Sequence, residues 1–290
     1  MIDLYRFIED RRSTFGVERM CRTLGVSRSG FYKWKHGAAS KRRQANQVLL
    51  AEIKCIHEAF GGIYGSPRMT KELRARGFVC NEKRVARLMR QADIRPVVAR
   101  KFKVTTHSGH SLPVAANLVN RHFQASEPNQ LWTSDITYIR THEGWMYLAV
   151  VLDVFSRQIV GWALEKRMKK ELVVKAINQA LSVRKVKAGL IFHSDRGSQY
   201  ASEAVRKILK DNKIRQSMSG VGNCYDNAIT ESFFATLKKE FIYPFEVFNS
   251  RKEAKSALFY YIEYVYNRIR RHSAIGFLAP VQFERINQAA

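Results

Sequence analysis

Three carboxylates stand in settings suited to metal-assisted chemistry: Asp135, Asp195 and Glu231. Asp135 lies in LWTSDITYI (131–139), an alternating β-branched run that reads as a strand. Asp195 closes the short apolar run LIFHSD (190–195), which breaks into the loop RGSQY (196–200). Glu231 sits in DNAITESFFATLKKE (226–240), where apolar residues recur at helical spacing; 35 residues separate it from Asp195. Acids at two strand positions and on one helix can converge on a pair of divalent cations about 3.5–4 Å apart. Such a pair clamps the attacking and leaving oxygens of a phosphoryl displacement. In a chain of net charge +25, the cluster points to nucleic-acid phosphodiester chemistry.

Each acid also has a plainer reading, which residue type alone leaves open. Asp135 fits a surface-facing position on an edge strand, although a buried carboxylate there would need metal or hydrogen bonds to offset desolvation. Asp195 before Arg-Gly is common turn chemistry, and Glu231 could be an ordinary solvated helix glutamate. Asp153, ahead of VFSR (154–157), is the main rival acid. It is expected to hydrogen-bond in the turn or pair with Arg157. Asp226 is expected at the N-cap or first turn of the helix bearing Glu231.

A resemblance favours the chemical reading. HSDRGSQY (193–200), YDNAITE (225–231), Lys238 seven residues beyond Glu231, and YNRIRRH (266–272) followed by Pro280 form one ordered set. Together they resemble the integrase-type DDE transposases of bacterial insertion sequences, the class whose catalytic protein comes from a second reading frame and whose core is like that of retroviral integrases. The resemblance covers nearly the whole chain. It implies that Asp135, Asp195 and Glu231 are the catalytic triad and the ligands of two Mg²⁺ ions, for which Mn²⁺ can substitute. Water as nucleophile would give 3′-end cleavage; a 3′-hydroxyl would give strand transfer. It further implies double-stranded DNA partners (the element's terminal inverted repeats and the target), a homo-multimer on DNA, and cytoplasmic, nucleoid-associated work. An upstream-frame protein, or fusion to it, would supply a further helix-turn-helix and a leucine zipper; this chain has no sustained heptad pattern. Lys238, two helical turns or roughly 10 Å from Glu231, would meet a DNA phosphate, as would Arg196 beside Asp195. His193 and Gln199 flank the same loop.

Charge and element patterns locate the rest. Residues 1–126 carry 25 basic and 9 acidic side chains, net +16, and 127–290 carry 25 and 16, net +9. The front reads as helical. VERMCRTLG (17–25) and VSRSGFYKWK (26–35) form a helix pair, with Ser27 as N-cap, Phe31 and Trp34 inward, and Arg28 and Lys33 outward. SPRMTKELRAR (66–76) and NEKRVARLMR (81–90) form a second pair, capped by Asn81, with an apolar stripe of Val85, Leu88 and Met89. Lys83, Arg84, Arg87 and Arg90 lie away from that stripe. A basic outer face over an apolar inner one is what a recognition helix needs in the major groove; a solvated basic face is the alternative.

These patterns give a helix-turn-helix region at 1–60, a second at 61–95, a basic linker at 96–125 and a catalytic core with a helical extension at 126–290. Within the core, strands at about 131–140, 145–153 and 158–164, a helix at 169–183, a strand ending at Asp195, a helix at 202–212 and a strand at 214–218 are expected. Periodicity alone leaves several α/β orders open. The resemblance selects a ribonuclease H-like core, a mixed five-stranded sheet with helices, behind an all-α front. The aromatic stripe of 260–271 is expected in the core, with Arg268, Arg270 and Arg271 available to phosphate.

Other classes fit poorly. Cys21, Cys55, Cys80 and Cys224 form no paired motif, and His107 and His110 have no cysteine partners at finger spacing, so neither a disulfide scaffold nor a zinc module is expected. The longest apolar run is too short to span a bilayer, and no signal peptide is expected at the front. A regulator with a dead core would not need all three acids, and a plain nuclease would not need tandem helix pairs.

Overall fold

A computed structural model describes residues 2–36, 41–97, 112–120, 122–220, 227–245 and 247–288. The chain divides into two compact units, Met1–Arg95 and Pro96–Ala290. His107, His110, Cys224 and Asp226 lie outside the described residues.

The first unit is helical: α1 (Ile2–Arg11), α2 (Val17–Thr23), α3 (Arg28–His36), α4 (Lys41–Ala59), α5 (Ser66–Ala75) and α6 (Glu82–Gln91). Helices α1–α3 share a core of Tyr5, Ile8, Met20, Cys21 and Phe31, with Trp34 packed against it. The Ser27 hydroxyl accepts the Gly30 N–H at 2.9 Å, which satisfies one of the amides left unpaired at the start of α3. Helices α4–α6 share a second core containing Ile53, Ile56, Met69, Leu73, Val85, Leu88 and Met89. Asn81 caps α6 by accepting the Arg84 N–H at 2.8 Å. The helix pairs α2–α3 and α5–α6 lie where sequence pattern placed them, and α1 and α4 each complete a core that two helices could not close.

The second unit is built on β1 (Leu131–Thr141), β2 (Gly144–Asp153), β3 (Ile159–Glu165), β4 (Ile191–Ser194) and β5 (Arg215–Met218). The first three form an antiparallel meander, β4 and β5 run parallel to β1, and the order is β3-β2-β1-β4-β5. Helices α7 (Lys170–Val183) and α8 (Glu203–Asp211) make the two crossovers, and α9 (Ala228–Leu237) follows. This is the expected mixed sheet with helices, in the strand and helix order of a ribonuclease H-like fold. Side chains alternate between two cores. Trp132, Ala149 and Val151 pack with Ala176 and Ile177 of α7 and Val205 of α8. Leu148, Val150 and Leu152 pack with Phe233, Phe234 and Leu237 of α9. Gly161 is what lets α7 close on β3: a Cβ there would collide with the Ala176 carbonyl and come within 2.8 Å of the Ala180 nitrogen.

Beyond α9 the chain winds as a π-turn over Lys238–Ile242. Helix α10 (Arg251–Phe259) runs on into a π-wound stretch, Tyr260–Ile269, and α11 is Pro280–Gln288. Tyr261, Ile262 and Tyr266 are buried in the α9-side core, whereas Tyr260 and Tyr264 face solvent. Among the described residues, no helix is long and apolar enough to cross a membrane.

Candidate active site

Strand register brings the first two acids together. β1 and β4 pair in parallel through Ser134 and Ser194, so Asp135 and Asp195 are the next residues on neighbouring strands, whose spacing is about 4.8 Å. β4 ends there, and the Asp195 carboxylate turns the chain by accepting the Gly197 N–H at 2.9 Å. The turn reading of Asp195 is therefore real, and it leaves the same carboxylate beside Asp135.

The third acid is delivered by two buried hydrogen bonds. Thr230 Oγ1 donates to Thr133 Oγ1 at 2.8 Å, and Asn227 Nδ2 donates to the Ser134 carbonyl at 3.3 Å. These fasten the first turn of α9 to β1, two residues and one residue before Asp135, and Glu231 is the next residue after Thr230. Glu231 itself is exposed, which suits a ligand that reaches into the site from its rim.

Electrostatics register the convergence. The Asp135 carboxyl is pushed up to about 8, first by burial and then by the charge of Asp195, with Glu231 adding to the rise; the Ile136 N–H bond at 2.7 Å and the Lys238 ammonium pull the other way. Glu231 is raised by partial burial. Tyr200, fully covered with its hydroxyl 2.9 Å from Ser134 Oγ, is held well above the ordinary phenol range by burial and by the charges of Asp135 and Asp195. Among the described residues no three His, Cys, Asp or Glu side chains are gathered into a preformed coordination cluster. The charges of Asp195 and Glu231 nonetheless act on Asp135.

Asp153 is a structural acid. It is fully buried, accepts the Asn129 N–H at 2.8 Å, the Phe155 N–H at 3.0 Å and the Trp132 indole N–H at 3.4 Å, and is raised to about 6 by burial. The arginine whose charge acts on it is Arg184 rather than Arg157, which instead donates its backbone N–H to the Asp153 carbonyl.

The basic residues sort into two sets. Arg28, Lys33, Lys83, Arg87 and Arg90 are exposed, and Arg28 pairs with Glu18 at 3.3 Å. Arg84 is half-buried, its Nε donating to Asn46 on α4 at 2.8 Å. In the second unit Lys238 is only 8% exposed. Its ammonium lies 5.0 Å from the Tyr138 ring centre, and burial lowers its proton affinity against the opposing pull of Asp135. Arg196 donates from Nε to the Ser219 carbonyl at 2.5 Å, and Gln199 from Nε2 to the Met168 carbonyl at 3.2 Å. His193 is buried beneath the loop with Nδ1 2.8 Å from Ser217 Oγ. One expectation is corrected. Arg270 is not available to phosphate: it is 2% exposed and holds Glu240 in a two-pronged ion pair at 2.6 and 2.7 Å. Arg271 donates to the Phe277 carbonyl at 3.1 Å and is half-buried, whereas Arg268 is exposed.

Sequence reasoning missed Thr133, Thr230, Asn227 and Tyr200. A signal for the first was present: Thr133 lies two residues before Asp135 and so on its face of the strand, where a hydroxyl amid apolar neighbours needs a partner.

Comparison with known proteins shows the family. Residues 125–224 and 231–287 match families described as integrase core domains, and 43–102 match an HTH-like domain that takes in α4 through α6. The transposase InsF of insertion sequence IS3A from Escherichia coli (strain K12) is 45% identical over 287 residues, covering 98% of this chain and 99% of the relative. The chain belongs to the insertion-sequence transposases with an integrase core. It is therefore a DNA-binding enzyme of the class that cleaves DNA and transfers strands. An insertion element IS600 protein of 31 kDa from Shigella sonnei, itself uncharacterised, is 46% identical over 272 residues, 93% of this transposase and all of the relative. Solved structures are more distant. A simian T-cell lymphotropic virus intasome in complex with a PP2A regulatory subunit has a TM-score of 0.47 and 14% identity, over 80% of the transposase and 74% of the solved chain. The HTLV-2 integrase catalytic core with magnesium has a TM-score of 0.43 and 17% identity, over 56% and 99%.

Proposed function

We propose that Asp135, Asp195 and Glu231 are a DDE triad that holds two Mg²⁺ ions, replaceable by Mn²⁺, and that the transposase uses them to cut the 3′ ends of its insertion sequence and join those ends to target DNA. The observation that carries this reading is the register of β1 with β4, which sets Asp135 and Asp195 next to each other, with α9 fastened to β1 one residue before Glu231. The rise of the Asp135 carboxyl to about 8 accords with that crowding. Crowded acids of this kind are costly unless a cation neutralises them. The donor set is all carboxylate oxygen, which suits a hard, octahedral ion such as Mg²⁺ rather than zinc. When bound, the ions would activate the nucleophile and stabilise the departing 3′-oxygen.

The chain's own residues do the rest. Thr133, Thr230 and Asn227 fix α9 so that Glu231 stays opposite the two strand acids. Lys238 balances Asp135 and, with Arg196, meets DNA phosphate at the reacting end. Arg28, Lys33, Lys83, Arg84, Arg87 and Arg90 hold double-stranded DNA in the front unit, among which Lys83, Arg87 and Arg90 stand exposed opposite the buried stripe of α6. On this reading residues 1–60 and 61–95 are the two helix-turn-helix regions, 96–125 the linker and 126–290 the core. Work on both element ends calls for a homo-multimer on DNA, aided by an upstream-frame protein or fusion to it, at the nucleoid in the cytoplasm.

The test uses end-labelled DNA carrying the element's terminus, with Mg²⁺ or Mn²⁺, and compares wild type with Asp135→Asn and Glu231→Gln on a sequencing gel. Metal-dependent nicks and joined products, lost in both variants by at least 100-fold (about 2.7 kcal/mol of barrier), are expected. Cleavage that survives either substitution would rule the triad out.

A further inference from the structure

We propose that Tyr138 and Trp145 form a stacking site for an unpaired nucleobase of the reacting DNA strand, beside the triad. This deepens the proposed function and rests on its assignment of Asp135 to the reaction. The pairing of β4 with β1 stops at Ser134, and Thr141 next bridges to Phe248. Between them, that edge of β1 has no neighbouring strand among the described residues. Tyr138 lies on this stretch about 10 Å along the strand from Asp135, on the opposite face of β1. Lys238, whose charge acts on Asp135 and whose ammonium is 5.0 Å from the Tyr138 ring centre, connects the two.

Both rings are exposed. Trp132 and Trp162 are buried at 0% and 8% exposure, whereas Trp145 is 48% and Tyr138 39% exposed. Their centroids are 5.3 Å apart and their planes cross at 84°. Two perpendicular rings make a corner that can receive a flat base against one wall and its edge against the other. What surrounds them selects a nucleic acid over an apolar protein segment. Lys238 lies 5.0 Å from the Tyr138 ring centre, and Arg140, exposed, is the register partner of Trp145. Aromatic faces among cations are how proteins hold unpaired bases, through stacking that tolerates any base identity. A 10 Å reach at 3.4 Å per base places the stacked base within about three nucleotides of the scissile phosphate.

An extruded base has lost its neighbours, and a protein ring replaces them. Opening the terminal pairs would in turn free the phosphate to approach the carboxylates. The cross-strand packing of Tyr138 with Trp145 would also steady the hairpin, so the test must separate ring stacking from hairpin stability.

The experiment measures affinity of the whole chain for element-terminus DNA without metal, while each of three nucleotides on either side of the cleavage position is made abasic in turn. At one position, loss of the base is expected to weaken wild-type binding roughly 5- to 100-fold. Trp145→Ala should weaken binding to intact DNA by a similar factor and show no further loss on that abasic DNA, and Trp145→Phe should recover most of it. Additive losses at every position, or wild-type affinity of Trp145→Ala for every substrate, would overturn the proposal. A second readout needs no variant: 5-iodouracil at the same positions should photo-crosslink to Tyr138 or Trp145 of the wild type, and crosslinks mapping only elsewhere would overturn it. Cleavage by Asp135→Asn, run alongside, keeps the two ideas apart. If that variant still cuts, the triad reading fails whatever the stacking result; if it is inactive and the losses are additive, only the stacking site fails.

Discussion

The transposase carries its positive charge in two manners. On α6, Lys83, Arg87 and Arg90 stand exposed opposite a buried stripe of Val85, Leu88 and Met89. In the catalytic unit Lys238 and Arg270 are 8% and 2% exposed, one acting on Asp135 beneath the Tyr138 ring and the other locked to Glu240. An exposed cation is free to serve a partner and contributes little to folding. A buried cation is committed to its own chain, because leaving its partner acid alone in the interior is costly. The same residue type thus stands open to solvent on α6 and answers to its own chain's acids in the catalytic unit.

The sharpest test of that contrast is Arg270→Met. It leaves Glu240 buried without its partner, so a loss of about 3–5 kcal/mol is expected in chemical denaturation of the catalytic unit. Replacing both, Arg270→Met with Glu240→Leu, should recover most of it, since an apolar pair needs no compensation. A single-variant cost below about 1 kcal/mol would mean that Arg270 is not committed as described.

Next in size is the pH response of the acidic site. Asp135 is raised from the ordinary carboxylate range to about 8, so the folded chain holds this proton more tightly than the unfolded one. Its stabilising share is fully present below about pH 4 and is lost as pH rises through 8. Metal-free Asp135→Asn should therefore melt higher than wild type near pH 8 and above, by on the order of 1–3 kcal/mol, while the two converge toward pH 4. Asp153, raised to about 6, remains in the variant and keeps its own decline between about pH 4 and 6. Identical melting curves at pH 8 would remove the claim that Asp135 is crowded by Asp195 and Glu231.

The same contrast explains what could be read in the sequence. Local physics was legible. Alternation gave the β-meander, Ser27 and Asn81 announced their caps, and each acts as one. Asn81→Ala should cost about 1 kcal/mol in thermal unfolding of the helical unit; no change would show that α6 is held by its core alone. Long-range commitments were not legible. Nothing near YNRIRRH shows that Arg270, 30 residues after Glu240, turns inward while Arg268 stays in solvent. The π-winding of Tyr260–Ile269 helps to explain this, because it shifts which residues of the helix face the core relative to a regular 3.6-residue pattern. Thr133–Thr230 and Asn227–Ser134 join segments more than 90 residues apart, so the placement of Glu231 follows from tertiary packing that spacing alone does not encode. The three acids stood out as a set by resemblance; their placement follows from register and from those bonds.

The smallest effect on stability, and the cleanest separation of the two kinds of charge, comes from Arg87→Ala. Arg87 is exposed on the outer face of α6, so its removal should shift unfolding by no more than about 0.5 kcal/mol. If that face contacts DNA phosphate, affinity should fall by a similar factor on every sequence, and the slope of log affinity against log salt should become shallower by about 0.9. Lys238→Met should behave differently, because its ammonium already answers to Asp135: the loss should concentrate on DNA that reaches the acidic site and vary with pH. A salt slope unchanged in Arg87→Ala would take α6 out of the DNA interface. It would leave the exposed positive charge of that helix a solvated face, and the comparison with the buried cations would then concern folding alone.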